Sequence, residues 1–145
     1  HFLMHIRRHL VFAGVATAAV FGLTACGGSA LASSCEDYWE FDQEHAGAIG
    51  EAMQQVGSGA SYDADATRAM IDDATNDFKA LLDNSQDEIF VEEASKTLPM
   101  FEIVNTLADP DVSVDEKAEL MGSSDLNEIM EAERNLIEIC EAEIN

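Results

Sequence analysis

From Cys35 to Cys140 the apolar residues of this chain recur at intervals of three and four, and no stretch alternates apolar with polar residues in a β-branched run. That spacing gathers side chains on one face of a helix, whereas a half-buried strand needs a period of two. The body of the chain is therefore predicted to be all-α. Cys35, Trp39, Ala46, Ile49, Met53 and Val56 mark the buried face of a first helix, which is expected to begin near Ser33 or Ser34 because Ser33 and Glu36 have capping-box spacing. Gly57, Gly59 and Ser61 interrupt the pattern before a second helix from about Asp63 to Leu82, with Met70, Ala74, Phe78 and Leu81 inward. Ser85 and Glu88 are expected to cap a third, carrying Phe90, Ala94, Leu98, Phe101 and Val104. Pro99 lies inside it, and the lost backbone donor and crowded preceding turn predict a kink near Thr97. A short helix opens at Ser113 and Glu116 and closes at Gly122; a last one from about Asp125 to Glu143 buries Leu126, Ile129, Met130, Leu136, Ile137 and Cys140. Four main helices on short connections predict a small antiparallel four-helix bundle.

Ahead of this body lies a segment of another kind. Arg7 and Arg8, flanked by His5 and His9, form a cationic start, and Leu10 to Ala25 is an uncharged run of sixteen residues; Met4 is read as the initiator. As a helix the run would span about 24 Å, shorter than the roughly 30 Å core that a permanent span must cross, so the pattern is read as a secretory signal. It ends in Leu23-Thr24-Ala25-Cys26, which resembles the lipobox of bacterial lipoproteins at all four positions. The resemblance implies that Cys26 gains a diacylglyceryl thioether, that residues 1–25 are cut away as a signal peptide, and that acyl chains such as palmitate hold the protein to a membrane. Cys26 and the Gly-Gly-Ser-Ala-Leu-Ala-Ser-Ser stretch after it, residues 26–34, are then expected to form a flexible tether reaching at most about 30 Å, with the acidic helical domain at 35–145. Arg7-Arg8-His9-Leu10-Val11 is also similar to a loose twin-arginine export signal, from which Ile6 and Phe12 depart.

The signal, the lipobox and a body with one Cys at its start and one in its final helix together resemble small bacterial lipoproteins, particularly actinobacterial ones. The resemblance implies the extracytoplasmic face of the cell membrane and carries no activity with it. With Cys26 given to lipid, Cys35 and Cys140 remain as an even pair in an oxidising compartment, where a disulfide is expected; two buried free thiols are the alternative. The bond would close a loop worth up to about 4.7 kcal/mol in the chain-entropy picture. In an up-down-up-down bundle the start of the first helix and the end of the last share a pole, so the pairing sets a register in which facing positions sum to about 175. Trp39 is then expected opposite Leu136, Ala46 opposite Ile129, and Ile49 opposite Leu126. Asp42 falls opposite Glu133 and Arg134, which predicts an Asp42 to Arg134 ion pair at the edge of the core.

All 29 Asp and Glu follow Cys35, against only Arg68, Lys79, Lys96, Lys117 and Arg134, so the chain after Cys26 carries a net charge of −24. Such a body repels nucleic acid and, within a Debye length of about 8 Å, anionic headgroups. It suits a partner of basic character. His45 is the only histidine beyond residue 25, and no Ser or free Cys is placed to make a nucleophilic triad with it. One histidine without a free thiol pair also makes a poor zinc set. Asp83-x-Ser85-x-Asp87 and Asp109-x-Asp111-x-Ser113-x-Asp115 alternate oxygen donors as calcium loops do. Glu88 and Val114, however, stand where an EF-hand needs Gly, and Ala94 and Leu120 where it ends in Glu, so both are read as helix N-termini. No catalytic, cofactor-binding or metal-binding residue is therefore assigned. The chain is expected to be a non-catalytic, membrane-tethered interaction module with a basic envelope or secreted partner; the alternative is an accessory small-ligand or cation-binding lipoprotein with a pocket near the Pro99 kink. The loops around 57–62 and 108–124, at the pole away from the cysteines, are the expected contact end.

Overall fold

The computed structural model describes residues 26–59 and 61–144, with side chains from Ala30 to Glu143. The signal peptide expected at 1–25 and the side chain of Cys26 lie outside what is described. All regular structure among the described residues is helical: α1 Cys26–Gly57, α2 Ala64–Asn84, α3 Glu88–Thr97, α4 Pro99–Ala108, α5 Val114–Met121 and α6 Ser124–Ile144. The fold is an all-α bundle, with α3 and α4 as the two halves of the proline-broken third helix and α5 as the short one.

Side-chain oxygens placed one residue ahead of the first turn start four of these helices, the weakest being Ser123 Oγ ahead of α6, which accepts from the Leu126 amide at 3.4 Å. Asp63 Oδ1 accepts from the Ala66 amide at 3.1 Å, Asp87 Oδ1 from Phe90 at 2.8 Å, and Ser113 Oγ from Glu116 at 3.2 Å. Each satisfies an amide that the helix itself leaves open. The cap of α3 is thus Asp87 and not Ser85. Ser85 instead closes α2, its amide donating to the Leu81 and Leu82 carbonyls. At the break, Leu98 keeps helical dihedrals and Pro99 becomes the first residue of α4, a position where its missing N–H costs nothing.

The expectation of a flexible tether over 26–34 is corrected: α1 is continuous from Cys26. Leu31 packs against the core, and Ser34, only 3 % exposed, donates to the Ala30 carbonyl at 2.8 Å and lies 2.6 Å from Ser85 Oγ. Burial against α2 outweighs the local freedom that Gly and Ser confer, and Ala30, Leu31 and Ala32 are good helix formers.

Cys35 and Cys140 are joined, with their Cα atoms 5.3 Å apart, and both are fully buried. Around them Tyr38, Phe78, Leu81, Phe90, Ala94 and Leu136 form a closed core, with Trp39 packed against it. Of the expected facing pairs, Leu136 belongs to this core and Trp39 packs against it. In the bundle α6 packs chiefly on α3, α2 packs on both α4 and α1, and α1 touches α6 less than it touches α2. At the other two expected pairs burial is incomplete: Ile129 is buried and Ala46 exposed, and Ile49 and Leu126 are half-buried. One end of the bundle is filled, and the other is not.

Candidate functional site

The unfilled end follows from what α1 lacks. In its second half Ala46, Gly47, Ala48, Gly50 and Ala52 leave Ile49, Met53 and Val56 as the large apolar side chains, and a Cβ added at Gly47 or Gly50 would meet nothing within 4 Å. Two adjoining cavities result. The larger, about 770 Å³, is at the pole away from the disulfide and is lined by Met53, Val56, Tyr62, Met100, Ile103, Val104, Leu107, Val114, Lys117, Met121, Leu126 and Met130, with Gly57 and Gly59. Its walls come from α1, α4, α5 and α6, and each of the four contributes one methionine. Lys117 is the single charged side chain in the lining. The wall is open to solvent: Val114 is 81 %, Met121 55 % and Met130 50 % exposed. The Tyr62 hydroxyl donates to the Ala108 carbonyl at 2.9 Å and ties the loop after α1 to the end of α4.

The smaller cavity, about 260 Å³, sits toward the disulfide side between α1, α2, α4 and α6. Tyr38, Phe41, Phe78 and Phe101 line it with Asp42 and Glu133, and it shares Met100 and Val104 with the larger one. Here the expected Asp42 to Arg134 ion pair is overturned. Positions 42 and 133 face each other, as a sum of 175 requires; one residue on, a helix has turned by about 100°, so Arg134 points away and makes no ion pair among the described residues. Two carboxylates therefore share this cavity with a buried phenol. Burial first, then the Glu133 and Asp42 charges, push Tyr38 up to about 12 from its ordinary value of 10.0.

A third cleft, about 490 Å³, runs between α2 and α4 and includes Pro99. Four of its polar side chains pair with one another. Arg68 Nε donates to Asn105 Oδ1 at 2.7 Å, Asn105 Nδ2 donates to Asp72 Oδ1 at 2.8 Å, and Arg68 Nη1 lies 3.5 Å from Asp109 Oδ2. The pocket expected near the kink is thus split, with a self-paired polar cleft on one side and the apolar cavities, beginning at Met100, on the other.

His45 is nearly covered by its own helix and by α2. Its Nε2 lies 2.7 Å from Asp77 Oδ2 and 3.9 Å from Glu44, and its ring stacks 4.8 Å from that of Phe41. Glu44, His45 and Asp77 are the one set among the described residues whose three donor atoms could reach a metal ion, and both carboxylates are exposed. Asp77, 32 residues away on another helix, had no sequence signal linking it to His45. Within the two calcium-like stretches, Asp87 and Ser113 cap α3 and α5, and Asp109 Oδ1 accepts from the Asp111 amide at 2.9 Å. No helix among the described residues is long and apolar enough to cross a membrane.

Comparison with protein-family models, with curated proteins and with solved structures finds no match to this chain.

Proposed function

We propose that this protein is a non-catalytic binding module, anchored by lipid on Cys26 at the extracytoplasmic face of the cell membrane, and that its binding element is the methionine-lined cavity. The observation that supports this is the convergence of Met53, Met100, Met121 and Met130, one from each of four helices, on a single open apolar space of about 770 Å³. A bundle selected only for stability closes its core with residues of defined shape, whereas methionine is unbranched, polarisable and able to repack around different occupants. The volume falls in the range of about 300 to 1,000 Å³ in which small-molecule sites lie. The interaction reading and the ligand reading thereby meet at one place, the pole carrying the loops at 57–62 and 108–124. A continuous α1 of 32 residues, about 48 Å long, would hold that pole well away from the anchored end.

Two measurements test this. A neutral apolar fluorophore such as N-phenyl-1-naphthylamine is expected to bind saturably at one site, with affinity falling tenfold or more in Met121→Glu and Met130→Glu variants of unchanged helicity; an unsaturable or unaltered signal would remove the reading. Palmitate labelling in an actinobacterial host is expected to vanish in Cys26→Ser.

A further inference from the structure

The smaller cavity differs in kind from the groove it adjoins. Three of its four aromatics form a contiguous cluster, with the Phe41 ring centroid 5.2 Å from Phe78 and 6.0 Å from Phe101, and Phe78 5.3 Å from Phe101, while the Tyr38 ring packs on Trp39 and Phe90. Asp42 and Glu133 line the same space from opposite helices, no cationic side chain lines it, and neither carboxylate forms an ion pair among the described residues. Both carboxylates are exposed at the cavity's edge, so its opening carries negative charge with no cationic side chain in the lining. An inorganic cation would have to surrender its hydration to walls that are mostly apolar. An organic ammonium carries its charge on a surface of methyl or methylene groups, and aromatic faces attract it through the ring quadrupole. An anionic headgroup meets repulsion here. Met100 and Val104 belong to both cavities, so one molecule can occupy the two together.

We propose that the protein binds an amphiphilic organic cation, with its ammonium head among Tyr38, Phe41, Asp42 and Glu133 and its apolar tail along the methionine-lined groove. This rests on the groove being a binding site, and it adds the charge and shape of what is bound. Isothermal titration of the purified protein with octyltrimethylammonium, octanol and octyl sulfate, each below its micelle concentration, separates the two statements. The cation is expected to bind at 1:1 and at least tenfold more tightly than octanol, with octyl sulfate weakest. The double variant Asp42→Asn, Glu133→Gln is expected to lose that tenfold advantage while octanol binding is unchanged. Asp83→Asn with Glu141→Gln removes the same charge from exposed positions outside both cavities and is expected to alter neither. Equal affinity for cation and alcohol, or equal weakening by the two double variants, overturns the head site and leaves the groove standing. Failure of both the cation and octanol to bind overturns the two readings together. Both side chains are exposed, so the Asp42→Asn, Glu133→Gln variant is expected to melt with the parent, and a thermal melt checks that unfolding is not the source of any loss.

Discussion

Asp42, Glu133 and Tyr38 show how much turns on single positions in this bundle. The facing register follows from the cysteine pair alone, yet it tolerates an error of one residue, and one residue on a helix separates a carboxylate facing the cavity from a guanidinium pointing away. Sequence reasoning placed Asp42 correctly and chose the wrong neighbour for it. Tyr38 makes the consequence measurable. With its folded pKa raised to about 12 from 10.0, the folded phenol keeps a proton that the unfolded chain gives up between those values. Its contribution to stability is fully present below about pH 10 and is lost as pH rises toward 12. The urea midpoint is expected to fall more between pH 9 and pH 11 in the parent than in Tyr38→Phe, and the tyrosinate absorbance assigned by that variant is expected to shift to lower pH in Asp42→Asn, Glu133→Gln. The Cys35 and Cys140 pairing, by contrast, was legible from the even pair that remains once Cys26 is set aside, one at each end of the helical body. Replacing Cys35 and Cys140 together by Ser is expected to cost about 2–5 kcal/mol, read as a drop in melting temperature with helicity kept at low temperature.

The starts of α2 and α5 were legible from their capping side chains, since Asp63 and Ser113 announce themselves by type and position. Ser85 misled because Asp87 has the same capping chemistry two residues later and sits directly before the first helical residue. Asp87→Ala is accordingly expected to destabilise by about 1 kcal/mol in chemical denaturation, and Ser85→Ala by less. The start of α1 was misread for a different reason. Composition describes the freedom of 27–34 as an isolated peptide, but Leu31 and Ser34 find partners on the folded body that no local signal reveals. The glycines in the second half of α1 carry the opposite lesson, since their added Cβ atoms would enter open space while the helix bears their backbone entropy. Gly47→Ala and Gly50→Ala are each expected to stabilise by about 0.5–1 kcal/mol, checked by urea unfolding.

The whole molecule is asymmetric along its axis, dense around the disulfide and hollow at the other pole. The four-helix class, the shared pole of the two cysteines and the outward loops all follow from helical spacing and chain order. The hollow does not, because an apolar residue at a helical period reads as core whether or not anything packs against it. Met53, Leu126 and Met130 were expected in a closed interior and instead line an opening. The signal that could have found it is a coincidence of two patterns: a stretch of α1 rich in Ala and Gly, and methionines rather than branched residues on the helices across from it.

The most direct measurement is methyl NMR on protein labelled at the methionine ε-carbons. Met53, Met100, Met121 and Met130 line the groove, whereas Met70 lines neither cavity and serves as an internal control. Titration with octyltrimethylammonium is expected to shift those four resonances together along one saturable curve and leave Met70 in place. Shifts spread equally over all five, or no shift at concentrations that saturate heat release, would contradict a binding groove at the hollow pole.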